Sequence, residues 1–231
     1  MIAPTPPRWP PGSWAQLVHA LVLVVLLMVA VFVVMQGWLG PLVLGPDFES
    51  AGASPLFFAL LGLAVLLQTV LVIGVGLVRL GRVSLSALGW READVRGDIV
   101  WGLAGFLAVA GVVLALSAAM GSPVAATLAV WLHQTSEVRL AGLCIGLLAA
   151  FNEETLFRGY LQGGLVVRLG PVLGVVATAM VFALYHGNLR PVPLLGKFLL
   201  GVIFGALALR RHRLYPSALA HVLTWVVMGF T

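Results

Sequence analysis

The sequence predicts an all-α fold, a polytopic bundle of about seven transmembrane helices, on three observations. The 231 residues are 61% hydrophobic and only 9% charged. Their mean hydropathy, +1.09, lies far above that of a water-soluble domain. Finally, apolar runs of roughly 20 residues, enough to cross a hydrocarbon core about 30 Å thick, recur between short polar or Pro/Gly-rich breaks.

Seven such runs cover 17–38, 55–80, 98–119, 138–158, 171–186, 197–209 and 214–230. The first is too long for the apolar core of a cleavable signal and reads as a retained anchor. Before it, the Pro-rich residues 1–16 read as a disordered cytoplasmic tail. The membrane domain is then 17–231, with the motif-bearing core at 138–231. The loop 81–97 mixes arginines with Glu92 and Asp94 and belongs at the membrane interface. An eighth candidate, "VAATLAVWL" within 121–137, is too short to span, and a crossing there would invert every later segment. Gly142, Gly146 and Ala150 fall on one helical stripe, and Gly201 with Gly205 on another, the spacing that lets transmembrane backbones touch. The single cysteine, Cys144, excludes an internal disulfide and is expected to be buried.

Charge sets the expected orientation. Under the seven-span reading one side holds Arg8, Arg79, Arg82, Arg91, Arg96, Arg158, Arg168, Arg210, Arg211 and Arg213, ten of the 13 basic residues. The other holds Arg139, Arg190 and Lys197. The positive-inside rule makes the first side cytoplasmic, with the N-terminus inside and the C-terminus outside. The run "RRHR" at 210–213 then reads as a solvated face against anionic lipid, and the pI of 10.4 gives no reason to expect nucleic acid.

Against this background "FNEETLFRGYLQ", residues 151–162, stands out. A charge at the centre of a membrane helix costs about 2.5 to 3.5 kcal/mol on insertion scales, so Glu153 and Glu154 need a reason. Glu154 and Arg158 share a face in the favourable i, i+4 order. Glu153 lies about 100° round the helix and needs a different partner. Two other apolar runs supply imidazoles: His186 in "FALYHGN", and His221 in "YPSALAHVLTW", one turn beyond Ser217. A carboxylate with two imidazoles suits activation of water: one group takes a proton and another donates one or steadies an oxyanion. Glu with two His is also a zinc set, so a metal remains an alternative at this point. Each residue alone has a plainer reading, a packed histidine or an interfacial ion pair. What favours chemistry is their coincidence on three apolar segments. His19, His133 and His212, at predicted helix ends or in loops, read as structural.

These residues resemble a family. "EETLFR" fits E-E-x-x-x-R, Phe182 to His186 fits F-x-x-x-H, and His221 stands where a third motif, H-x-x-x-N/D, begins. Residues 140–231 are thus similar to the CPBP intramembrane proteases, the Abi group that includes type II CAAX prenyl endopeptidases. The resemblance implies that Glu153 activates water with help from His186, that Glu154 and Arg158 support the site, and that His221 stabilises the oxyanion. It implies no cofactor, zinc being the disfavoured alternative, and a membrane-associated peptide or protein as substrate, in the plasma membrane of a bacterium. One position departs from the pattern. Trp225 occupies the place of Asn or Asp, and an indole offers one donor and no acceptor. If that amide serves the oxyanion, its loss lowers the rate about 10² to 10³-fold, unless Asn152 or Asn188 substitutes.

Spacing also sets a geometric condition. Glu153 and His186 each lie about 15 residues, or about 22 Å, into helices running in opposite directions, which separates them by about 14 Å in a 30 Å slab. A shared site requires the fourth or fifth helix to tilt, break or extend beyond the bilayer. Two other readings compete: a membrane scaffold or partner-binding protein with a catalytically weak site, and a transporter using Glu153 and His186 as a proton relay. The second lacks the paired, broken repeats of such folds. A dyad of Ser217 and His221 is disfavoured because both lie on one helix.

Overall fold

A computed structural model describes residues 7–32, 55–92 and 94–228. These residues form eight helices and no strand. Helix α1 is Trp14–Phe32. Helix α2 is α-helical over Pro55–Gln68 and continues as a π-helix over Thr69–Leu80. Helix α3 is Val95–Ala119, and α4 is Val124–Leu132. Helix α5 starts as Ser136–Glu153, passes through a π-helical stretch, Glu154–Leu161, and ends as Gln162–Leu169. Then come α6, Pro171–Tyr185, α7, Pro191–Arg211, and α8, Tyr215–Met228. The ends of the predicted first and last runs, 33–38 and 229–230, and the loop 40–54 lie outside the described residues.

The chain is an integral membrane protein built as a helical bundle. Four helices are long and apolar enough to cross a bilayer, Phe58–Leu80, Val95–Ala119, Ser136–Leu169 and Pro191–Arg211, and α1, α6 and α8 are shorter apolar helices. Helix α4, where the eighth candidate lay, has 9 residues and cannot cross. The surface carries exposed Val22, Leu107 and Leu173, while Gln68, Asn152, Glu154 and Arg158 are buried. This is the arrangement a lipid solvent favours, since backbone groups are satisfied within helices and apolar side chains face the hydrocarbon.

Each π-helical stretch has, as its first or second residue, a threonine whose hydroxyl donates to the carbonyl four residues back. Thr69 does so to Val65 at 2.9 Å, and Thr155 to Phe151. Such back-bonding competes with the helical ladder and bends or widens it. The Asn152 amide also donates to the Val65 carbonyl, at 3.1 Å. The two distortions are thereby joined, and the one in α5 coincides with the glutamate motif.

Two predicted segments are too short. The fourth continues to Leu169 in one unbroken run of 34 residues, about 51 Å at 1.5 Å per residue. The sixth begins at Pro191, which suits the first helical turn because its missing N–H would be unpaired there. Gly170, with a left-handed φ of 82°, turns the chain from α5 into α6. The two helices run antiparallel, so residues equally far from the turn meet. Phe157 packs edge-on against Phe182 with centroids 5.2 Å apart. Glu154 and His186 each stand 16 residues from Gly170 and so come to matching heights. Helix α5 thus extends past the expected end of its span, the extension that a site shared by Glu153 and His186 requires.

Loops assigned to one side by the seven-span reading touch one another. The Arg8 amide donates to the Gly81 carbonyl at 2.9 Å, Arg168 Nη1 to the Gly12 carbonyl at 3.3 Å, and the Leu214 amide to Gly89 at 3.3 Å. Pro7 to Ser13 are accordingly held against the body where a disordered tail was expected. The Arg8 guanidinium lies 5.1 Å from the Trp9 ring centroid, and Gln16 is buried with its Nε2 on the Tyr160 carbonyl.

The "RRHR" run also differs from expectation. Arg211 pairs with Asp94, the cap of α3, and lies 3.6 Å from the buried Asp98, while Arg213 is 3.7 Å from Asp98. Charges four helices apart in sequence thus clamp α3 to α7, a pairing no local spacing signals. The Arg211 guanidinium bonded to Asp94, followed by the Gly97 amide, holds that carboxyl below its ordinary pKa. Because the folded value is lowered, the clamp contributes fully above the unfolded value of about 3.9 and is lost as pH falls through the folded one. Asp94→Asn should therefore lower the melting temperature in detergent at neutral pH, and the difference from wild type should vanish on acidification.

Small residues pack as their spacing implied. A Cβ at Gly142 would lie 2.6 Å from the Trp225 carbonyl oxygen, one at Gly146 2.7 Å from the Trp225 Cβ, and one at Gly201 2.9 Å from the Ala179 Cα. Gly142→Val should destabilise by about 1 to 3 kcal/mol through overpacking. Gly62→Ala, with nothing within 4 Å of the added carbon, should be neutral or stabilising in the same thermal unfolding assay. Cys144, expected inside, is exposed. It lies off the buried stripe of Gly142, Ile145, Gly146 and Ala149, so helical periodicity turns it outward.

Candidate active site

The site is built where the π-helical part of α5 meets α6, α7 and α8. Glu154 is 0% exposed and Arg158 is 3% exposed, so both are removed from solvent. Glu154 Oε2 lies 3.4 Å from Arg158 Nε, the expected i, i+4 pair. Its Oε1 lies 3.1 Å from His221 Nδ1 of α8, and His221 Nε2 lies 3.8 Å from Glu153 Oε2. One imidazole from α8 therefore stands between the two carboxylates. When Glu154 is ionised its oxygens only accept, which makes His221 Nδ1 the donor. Glu153 Oε2 is buried without a hydrogen bond to protein and keeps its lone pairs available to a small polar molecule.

Aromatic rings frame this charge. Phe204 of α7 stacks on His221, with centroids 5.0 Å apart at 19°. The Arg158 guanidinium lies 4.1 Å from the Phe182 centroid and 5.4 Å from that of Phe204, inside the range of cation–π attraction. These rings supply attraction where the guanidinium hydrogens find no oxygen.

His186, at the end of α6, joins through Phe182 and makes no bond to a glutamate. Phe182 presents its ring to His186 at 4.7 Å and to His221 at 6.4 Å. His186 Nδ1 donates to the Phe182 carbonyl at 2.8 Å, which in the neutral ring leaves Nε2 as an acceptor.

The other predicted positions are placed differently. Asn152 is bonded to Val65, away from the glutamates. Asn188 is exposed beyond α6, its Oδ1 accepting from the Arg190 amide at 3.2 Å. Trp225 packs on Gly142 and Gly146, and it belongs to a cluster with Val65, Ile145 and Ala149. His19 donates or accepts at the Tyr160 hydroxyl, 3.0 Å away, while His133 and His212 end α4 and α7.

Sequence reasoning missed Lys197 and Phe204. Lys197 was counted as a loop cation because the sixth run was begun there. With α7 starting at Pro191, Lys197 is nearly two turns inside the helix. The available signal was spacing: Lys197, Leu200, Gly201 and Phe204 fall on one face, and the last three are buried. Among the described residues no three His, Cys, Asp or Glu side chains are placed to share a metal ion. Beside the site an apolar recess of about 500 Å³ opens between α3, α5 and α8, lined by Ile99, Leu147, Ala150, Phe151, Leu219 and Val222.

Residues 135–227 match the family model described as type II CAAX prenyl endopeptidase, Rce1-like. No curated protein and no solved structure matches the chain. The matched segment runs from the cap of α5 almost to the end of α8 and so contains every charged and aromatic side chain of the site. Over residues 135–227, less than half of its length, the chain is therefore similar to the Rce1-like family of type II CAAX prenyl endopeptidases.

Proposed function

We propose that the protein is an intramembrane endopeptidase acting on a membrane-associated peptide or protein. The observation that carries this reading is the placement of His221 between Glu153 and Glu154, all three buried. Glu153 takes a proton from water as its oxygen attacks the scissile carbonyl carbon, and the carbonyl π electrons move to oxygen. His221 donates toward that oxyanion, and His186 Nε2 assists the proton on the other side. When the C–N bond breaks, the proton on Glu153 passes to the departing amine. Glu154, itself paired with Arg158, orients His221. The step needs no metal, since Glu153, His186 and His221 between them accept and donate each proton in it. The substrate enters laterally through the apolar recess, which borders α5 and α8 next to the glutamates. The protein lies in a bacterial plasma membrane with its N-terminus in the cytoplasm, the orientation that places most arginines inside.

A second reading, a catalytically weak relative retained as a scaffold, is favoured by one observation. Trp225, in place of an amide, is committed to packing on Gly142 and Gly146. Comparison of membrane-protein termini by mass spectrometry, in matched cells expressing wild type or Glu153→Gln, separates the two. Termini specific to wild type support the protease, and identical termini at equal protein levels support the scaffold.

A further inference from the structure

Two groups stand out among the basic residues at the arginine-rich end of the bundle. Arg211 and Arg213 face Asp94 and Asp98. A second group, Arg8, Arg79, Arg82 and Arg168, lies on segments 7–32, 76–91 and 155–190, which contain no aspartate or glutamate. All four are exposed. Arg82 lines a cavity of about 620 Å³ together with Trp9, Gln16, Ser84 and Tyr160, and Arg8 and Arg79 adjoin lining residues in the chain. That volume is within the usual range of small-ligand sites.

The cavity is assembled from three separate parts of the chain. The Arg8 amide bonds Gly81, which brings Arg8 next to Arg82. Arg82 itself adopts a left-handed φ of 53°, a conformation unfavourable for a residue with a Cβ, and lines the cavity from there. Arg168 anchors the Gly12 carbonyl and lies 3.7 Å over the Trp14 ring. Indoles and arginines together at a bundle end mark the headgroup level of a bilayer. Positive charge there without acidic partners attracts anionic lipid.

We infer that this cavity binds the phosphate headgroup of an anionic phospholipid, with Arg82 as its direct partner and Arg8 alongside. Inorganic phosphate shares the chemistry. The test uses full-length protein in nanodiscs of phosphatidylcholine with or without phosphatidylglycerol, and native mass spectrometry to count retained lipid. Arg82→Gln should weaken phosphatidylglycerol retention about fivefold, and Arg82→Lys should preserve most of it. Arg190→Gln, the same charge change in the α6–α7 loop, should leave retention intact. Equal retention by Arg82→Gln and wild type overturns the inference, as does an equal loss in Arg190→Gln. Added inorganic phosphate that displaces the lipid reassigns the site to free phosphate, whereas lipid retained in its presence supports the headgroup. None of these outcomes depends on proteolysis.

Discussion

Glu153→Gln is expected to reduce the wild-type-specific termini in membrane proteins by about 10² to 10⁴-fold, the range typical for removal of a positioned general base. Glutamine keeps the length and shape of the side chain, and Glu153 Oε2 makes no hydrogen bond to protein that the substitution would break. Replacing a buried carboxylate by a neutral amide also removes a desolvated charge, so the variant should accumulate and melt at least as well as wild type. Lost cleavage with retained stability is the combination that assigns Glu153 to chemistry. Cleavage undiminished in Glu153→Gln would show that another group activates the water. A fall in protein level matching the fall in cleavage would give Glu153 a structural role.

Arg158→Met is expected to have the largest effect on stability. The guanidinium is the cation beside Glu154, 3.4 Å away in a site closed to solvent, and it rests on Phe182 and Phe204. Removing it leaves a buried carboxylate dependent on His221 alone, which should destabilise the fold by about 3 to 5 kcal/mol. The double variant Glu154→Gln, Arg158→Met should recover much of that loss, because no buried charge is then left uncompensated. Thermal unfolding in nanodiscs measures both. Equal melting temperatures for the single and double variants would mean that Arg158 acts through its aromatic contacts and not through its charge.

The fold class and the order of the helices were legible because a bilayer imposes length and apolarity on every span, and those are visible in one dimension. Glu154 with Arg158 was legible for the same reason, since a helix makes i and i+4 neighbours. His221 between the glutamates was anticipated only as a convergence of motifs. What escaped was whatever depends on where helices end. Lys197 passed for the outer end of its span because the apolar run was begun there, yet Pro191 begins the helix. Arg211 and Arg213 passed for lipid-facing charges because Asp94 and Asp98 stand over a hundred residues away in the chain. The π-helical turn at Glu154 depends on a hydroxyl competing for one carbonyl, which the presence of Thr155 alone does not announce.

The turn at Gly170 has a consequence for how this chain can change. Glu154 and His186 come level because the two arms of the hairpin have equal length, as in a folded ruler. Deleting one residue from one arm would displace everything beyond it by about 1.5 Å and swing it through about 100°. Either histidine or glutamate would then face lipid. A single insertion or deletion between the first two motifs therefore breaks both the level and the facing of the two side chains. The loops at the far ends of the bundle carry no such constraint.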